Sequence, residues 1–216
     1  MATKRGPTPE TLLERGNWAE ARTRIECELA RQPDDHWLLT QLGVTLYEGQ
    51  HYRDALAPLL KSLEIVPDCP LTLWNVAGTL DALGESKEAL SIYTWLLKSE
   101  QTADADECWE SQEWADALKT DCMYRMGSCL KKLGHMKSAE HVFRQHISLL
   151  LIGGKSLYEV EDSAKQIKEL RAGESRNGEE IRDTVASAFK GPGVTSLLGR
   201  RPKLPTAATL AGLANA

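Results

Sequence analysis

The chain has 216 residues, 42% of them hydrophobic, and a net charge of -5 from 26 basic and 31 acidic residues. This size suits one ordinary domain with appendages, and the acidic balance argues against general nucleic-acid binding, which needs a basic surface. The longest apolar run, ISLLLIGG, is far shorter than the roughly 20 residues of a membrane-spanning helix. We therefore expect neither a nucleic acid nor a membrane as a partner.

Cysteine usage and the opening residues bear on the compartment. The five cysteines are odd in number and form no CxxC pair, which is typical of a reduced cytoplasmic protein rather than a disulfide framework. The opening residues MATKRGPTPE contain no apolar stretch, so no secretory signal is expected. The predicted location is the cytoplasm.

Four stretches of the chain resemble one another and align without internal gaps. The first two steps between them are 34 residues long, and the third is 50, which is 34 plus an insertion of 16. Repeats of this length are typical of stacked helical units. The four stretches are WAEARTRIECELARQPD from Trp18, YRDALAPLLKSLEIVPD from Tyr52, SKEALSIYTWLLKSEQT from Ser86 and MKSAEHVFRQHISLLLI from Met136.

Each of the last three stretches follows another helical pattern, in which apolar residues recur at spacings of three and four. Each unit is therefore predicted to be a helix, a tight turn and a second helix. The turns contain Gly16, Gly84 and Gly134, with Gln50 in the corresponding place of the second copy.

Small residues mark the predicted crossing of the two helices in each unit. Helix axes about 8–10 Å apart leave no room there for larger side chains. On the first helix these residues are Gly43, Ala77 and Gly127, and on the facing surface of the second they are Ala55, Ala89 and Ala139, with Ala21 in the first copy. Pro33 and Pro67 are expected to end second helices, because proline cannot continue one.

This spacing resembles the tetratricopeptide repeat (TPR) family over residues 7–153. With Gly43 as the eighth position of the repeat, Ala55 is the twentieth and Pro67 the thirty-second. The same phase gives a partial repeat at 7–35 and full repeats at 36–69, 70–103 and 120–153, although Gln101 and Leu151 replace the family's proline. The resemblance implies an all-α solenoid of about three and a half helix-turn-helix repeats, which spans residues 7–172 with its capping helix.

The insertion at 104–119, DADECWESQEWADALK, has six acids before its first base. No proline or glycine interrupts residues 101–126, so we expect one helix that begins early and continues into the last repeat. Trp109 and Trp114 have two interpretations: packing on the neighbouring repeat, or a secondary contact with a partner.

Beyond the repeats, three segments are predicted. An amphipathic capping helix at 155–172 is expected to cover the last apolar face of the array. A short helix at 173–190 would follow, with Asn177 as its N-cap. Residues 191–216 carry three bases and no acid and are expected to be a disordered tail. The alternative for this tail is a docking segment anchored by Leu197 and Leu198.

Motifs for catalysis, cofactors or metals are weak in this sequence. GGKS at 153–156 resembles part of a phosphate loop, but the required earlier glycine is Leu149. The histidines are scattered, and Cys122 and Cys129, two helical turns apart, have no further ligand pair to complete a metal site. His146 falls at an inward repeat position and is predicted to belong to the core. We therefore predict no enzyme, no cofactor and no metal.

The family's geometry implies a concave groove lined by the first helices. Carried over residue by residue, the predicted peptide-binding residues are Trp37, Gln41, Val44, Tyr47, Trp74, Asn75, Tyr124, Arg125, Ser128, Lys131 and Lys132. Thr40 and Asp121 fall at further groove positions, where a carboxylate-clamping member of the family would use lysine. Packing between repeats is the alternative for the aromatic residues.

These residues favour a non-catalytic adaptor that binds a peptide or protein segment in the groove. Aromatic and arginine side chains dominate interface energies, and Arg125, Lys131 and Lys132 suit an acidic or C-terminal segment. Two alternatives remain open. One is a secretion-type TPR chaperone for a client protein, and the other is a scaffold that self-associates through its repeats or tail.

Overall fold

The computed structural model describes residues 8–99 and 111–177, and every regular element in these ranges is an α-helix. The predicted all-helical class is confirmed for these residues, and none of their helices is long and apolar enough to cross a membrane. The helices are α1 Pro9–Glu14, α2 Trp18–Leu29, α3 His36–Glu48, α4 Tyr52–Ile65, α5 Pro70–Ala82, α6 Ser86–Lys98, α7 Gln112–Lys132, α8 Met136–Leu151 and α9 Val160–Asn177.

The described chain divides into two compact units. The N-terminal unit holds α1–α5 up to Glu85, and the C-terminal unit begins at Ser86 and holds α6–α9. The division falls inside the predicted repeat 70–103, between its two helices.

The core of the N-terminal unit is built from helices that pack in chain order. α1 packs on α2, α2 on α3, α3 on α4, and α5 contacts both α3 and α4. Leu12, Ala21, Ile25 and Leu38 form one buried cluster across the first three helices. α1 has only six residues, in keeping with the shortened first repeat predicted at 7–35.

The turns between paired helices share one backbone conformation. Gly16, Gly84 and Gly134 have φ of 70°, 92° and 80°, and each stands two residues before the second helix of its pair. Gln50 takes φ 63° at the corresponding place. The residue that replaces glycine in the second copy therefore adopts the same left-handed conformation, which L side chains disfavour.

Replacement of Gln50 by glycine should raise the free energy of unfolding by about 0.5 kcal/mol. The left-handed strain disappears, while the extra flexibility of the unfolded chain offsets part of the gain. Gly84→Ala is the matched control: its new Cβ meets no atom within 4 Å, so its loss, about 1 kcal/mol, comes from the backbone alone. Urea unfolding measures both values, and a Gln50→Gly chain less stable than wild type would contradict the strain.

The close helix contacts fall one turn later than the alanines predicted to form them. A Cβ built on Gly43 would lie 2.4 Å from Leu59 Cγ, and one on Gly127 would lie 2.7 Å from Phe143 Cε1. Leu59 and Phe143 each follow the repeat's alanine by four residues, on the same face of their helix. The glycine therefore makes room for a large side chain, while Ala55 and Ala139 are buried beside it.

The C-terminal unit packs α6 on α7, α7 on α8 and α8 on α9. Its buried side chains come from all four helices and include Tyr93, Leu96, Met126, Phe143 and Leu170. His146 is 0% exposed, which confirms its predicted place in the core.

Two predicted helix boundaries are wrong. α7 begins at Gln112, because Ser111 has extended backbone (φ -167°, ψ 163°) and its hydroxyl accepts a hydrogen bond from Trp114 N–H. The predicted continuous helix from residue 101 into the last repeat is therefore interrupted at Ser111. α9 is described over Val160–Asn177 rather than 155–172, so Asn177 lies in this helix instead of opening a new one. The rest of the predicted helix at 173–190 and the predicted tail lie outside the described residues.

Candidate functional site

In the N-terminal unit, the predicted groove residues of α3 differ widely in exposure. Trp37 is 37% exposed, Val44 and Tyr47 are half-buried, and Gln41 is buried. The Tyr47 ring lies 5.3 Å from that of Tyr52 across the turn to α4. Trp37 is therefore the residue of this set that presents a large aromatic surface to solvent.

Thr40, a further predicted groove position, is buried and joins three helices instead. Its hydroxyl donates to the His36 carbonyl at 2.9 Å and lies 2.9 Å from Ser62 Oγ and 2.8 Å from Thr72 Oγ1. The hydroxyl is thus used for packing α3, α4 and α5, and the prediction that it lines a groove is wrong. The same bonds hold α3 and α5 side by side.

Trp74 and Asn75 lie on α5, next to α3, and both are half-buried. The Asn75 side-chain amide donates to the Leu71 carbonyl at 2.8 Å, one turn earlier on its own helix. In the N-terminal unit, the fold thus brings the predicted residues of α3 and α5 onto neighbouring helices.

In the C-terminal unit, the predicted residues of α7 contact the chain's own segment at 156–169. The Tyr158 ring stacks on Tyr124 with centroids 3.9 Å apart and planes at 13°, and Arg125 Cζ lies 5.4 Å from the Tyr158 centroid. Tyr158 therefore contacts both an aromatic face and a guanidinium, which are favourable partners of its π-system.

The two lysines further along α7 differ in their positions: Lys131 contacts α9, whereas Lys132 is exposed. Lys131 Nζ donates to Gln166 Oε1 at 2.8 Å and to Glu169 Oε2 at 2.6 Å on α9. This bond to Lys131 lowers the pKa of Glu169. Ser128 donates to the Tyr124 carbonyl on its own helix, and Lys132 is exposed.

Asp121 anchors the connection between α8 and α9. Its Oδ1 accepts hydrogen bonds from Ser156 Oγ at 2.5 Å and from Leu157 N–H at 2.8 Å. Burial raises the pKa of this carboxyl, while the two bonds and the charge of Arg125 act in the opposite direction. Asp121 thus holds the connection by the Ser156 side chain and by the Leu157 backbone.

His146, buried on α8, joins this arrangement through both ring nitrogens. Nε2 lies 3.1 Å from Ser156 Oγ, and Nδ1 lies 2.9 Å from Ser163 Oγ. Because Ser156 gives its single proton to Asp121, Nε2 must be the donor in its bond, and the neutral ring's Nδ1 accepts from Ser163. Burial lowers the pKa of His146, against the opposing charge of Asp162, so the neutral form is favoured.

Sequence reasoning missed three members of this site: Ser156, Tyr158 and Glu169. They lie in the segment that was predicted only to cap the array. Nothing local in the sequence identifies Tyr124 as the partner of Tyr158, 34 residues earlier.

Of the predicted secondary contacts, Trp114 is half-buried on α7 and Trp109 lies outside the described residues. Within 8–99 and 111–177, no group of three or more His, Cys, Asp or Glu side chains could hold a metal ion. No family model matches the chain, and no curated protein or solved structure gives a significant match.

Proposed function

We propose that this chain is a non-catalytic adaptor of the TPR type that binds partner segments on the first helices of its predicted repeats, with one surface on α3 and α5 of the N-terminal unit and another on α7 of the C-terminal unit. These helices are the first members of the predicted repeats, and their inward positions carry aromatic, amide and basic side chains. Such residues dominate binding energy in protein interfaces.

One observation carries the proposal. The inward side chains of α7 already hold polypeptide: Asp121 binds the backbone N–H of Leu157, and Tyr124 stacks on Tyr158. A surface that binds a stretch of its own chain through backbone and side-chain contacts has the chemistry needed to bind a stretch of another.

The N-terminal unit supplies a second and more accessible surface. Trp37 is exposed on α3, and α5 lies beside α3 through the bond between Thr40 and Thr72. An exposed tryptophan on a rigid helix contributes large contact area at small entropic cost on binding.

Site-specific photocrosslinking in the full chain tests this proposal. We expect a photoreactive phenylalanine analogue at position 37 to crosslink to one contiguous segment of a partner. The same analogue at Arg53, exposed on α4, is the matched control and should not capture that segment. The segment, made as a peptide, should then bind the purified chain and bind at least fivefold more weakly after Trp37→Ala.

Two results would contradict the adaptor model. One is a segment captured equally well from positions 37 and 53, which would indicate nonspecific contact. The other is a purified peptide whose affinity is the same for wild type and Trp37→Ala.

A further inference from the structure

The contact between α7 and the chain's own C-terminal segment repeats the pattern predicted for a partner. Residues 121, 124, 125 and 131 of α7 are four of the six inward positions that the family's geometry assigns to the last repeat. All four contact residues within 156–169. The positions expected to bind a partner and the positions that bind this segment therefore coincide.

The segment is anchored mainly by polar and aromatic contacts. Among the α9 side chains whose burial is described, only Ser163 and Leu170 are buried, and Leu157 in the connection is 78% exposed. Because apolar burial is the main source of docking stability, a helix that buries so little of it is expected to detach at low cost compared with a core helix.

The connection before the segment is suited to movement. α8 ends at Leu151, and the next contact with α7 is made by Lys155 and Ser156. Gly153, in left-handed conformation at φ 97°, and Gly154 lie between. Two adjacent glycines allow a wide range of backbone directions, so the segment can leave α7 once its contacts with α8, among them the bond between Ser163 and His146, are also broken.

We propose that residues 156–169 are an intramolecular competitor for a binding site on α7 and α8, and that the partner segment has the same chemistry. This inference rests on the proposed adaptor function and specifies its site. The partner would offer a Ser-x-Tyr sequence: a hydroxyl and a backbone N–H for Asp121, then an aromatic ring between Tyr124 and Arg125. A following helix would place a carboxylate on Lys131.

Competition of this kind explains why a free chain should bind weakly. A tethered segment has an effective concentration in about the millimolar range, which a partner must overcome. Any change that removes a contact made by residues 156–169, but leaves α7 intact, makes it easier for a partner to displace this segment. Tyr158→Ala is such a change, because the Tyr124 and Arg125 side chains remain.

The experiment measures binding of a fluorescent peptide, residues 155–172 (KSLYEVEDSAKQIKELRA), to the full chain by anisotropy. We expect Tyr158→Ala to bind it at least tenfold more tightly than wild type. Lys168→Ala, a change at an exposed position on the same helix, should bind like wild type. A peptide with its own tyrosine replaced by alanine should bind the Tyr158→Ala chain at least tenfold more weakly than the unchanged peptide does. Circular dichroism verifies that both variants keep their helical content.

Defined outcomes overturn this inference. Equal peptide affinity for wild type and Tyr158→Ala would show that the tethered tyrosine does not compete. Equal affinity of the two peptides for the Tyr158→Ala chain would remove tyrosine from the recognition chemistry. A wild-type dimer that is lost in Tyr158→Ala would make a second copy the occupant in place of a different protein. If the peptide fails while crosslinks from position 37 succeed, the adaptor function stands without this site.

Discussion

Gly43→Ala should destabilise the chain by about 2 kcal/mol, although alanine is the better helix former by roughly 0.5–1 kcal/mol in an ordinary helix interior. The added methyl would lie 2.4 Å from Leu59 Cγ and 2.5 Å from its Cδ2. Leu59 is 0% exposed, so it has no solvent to move into. The helices must separate or Leu59 must leave its rotamer, and both cost packing energy.

A double-mutant cycle assigns this loss to the contact. Leu59→Ala alone should cost about 3 kcal/mol as a buried cavity. The double variant should lose at least 1 kcal/mol less than the sum of the single changes, because the new methyl occupies space that Leu59 vacates. Additive losses in urea unfolding would mean that the two residues do not meet.

The reverse exchange at an exposed position is the control. Ala57→Gly on α4 should cost about 1 kcal/mol from helix propensity alone. If glycine gives the more stable chain at position 43 and alanine the more stable chain at position 57, then the loss in Gly43→Ala comes from packing and not from helix propensity. Gly127→Ala should repeat the result in the C-terminal unit, where the obstacle is the Phe143 ring.

Local sequence signals predicted the features that depend on local geometry. The tight turns predicted at Gly16, Gly84 and Gly134 are confirmed, because glycine readily adopts the left-handed conformation that these turns require. The start of α7 could also have been found. Ser111 followed by Glu113 is a typical helix start, since serine is a favoured N-cap and an acid is favoured in the first turn.

Features that depend on long-range packing were not predictable in the same way. Thr40 looked like a groove residue by its position in the repeat, yet its hydroxyl finds Ser62 and Thr72 on two other helices. A position within a sequence repeat does not specify which partners the neighbouring helices offer to a side chain. For the same reason, the amphipathic pattern of α9 predicted a cap without identifying the α7 residues that it would cover.

His146→Ala should lower the free energy of unfolding by about 3 kcal/mol. Its fully buried ring would leave a cavity. The change would also remove the partner of two serine hydroxyls, Ser156 and Ser163, one of them fully buried. Thermal and urea unfolding of the full chain measure this loss. A stability within about 1 kcal/mol of wild type would mean that the ring does not organise this part of the molecule.

The same residue should make stability depend on pH. Burial lowers the pKa of His146, so the folded state binds fewer protons than the unfolded state, whose pKa is about 6.5. Stability from the neutral ring is therefore fully present above about pH 6.5 and is lost as the pH falls towards the folded pKa. In structural terms, a proton on Nδ1 would turn the acceptor of the Ser163 bond into a donor.

His146→Gln isolates this dependence, because an amide can donate to Ser156 but does not titrate. We expect wild type to lose more stability than His146→Gln between pH 7.5 and 5.5, with the other four histidines common to both chains. Charged groups near the ring modify the curve in known directions. Asp162 opposes the shift of His146, and burial raises the pKa of Asp121, so protonation of that carboxyl favours the folded state at lower pH. Parallel pH curves for the two chains would show that His146 takes up its proton as readily in the folded state as in the unfolded one.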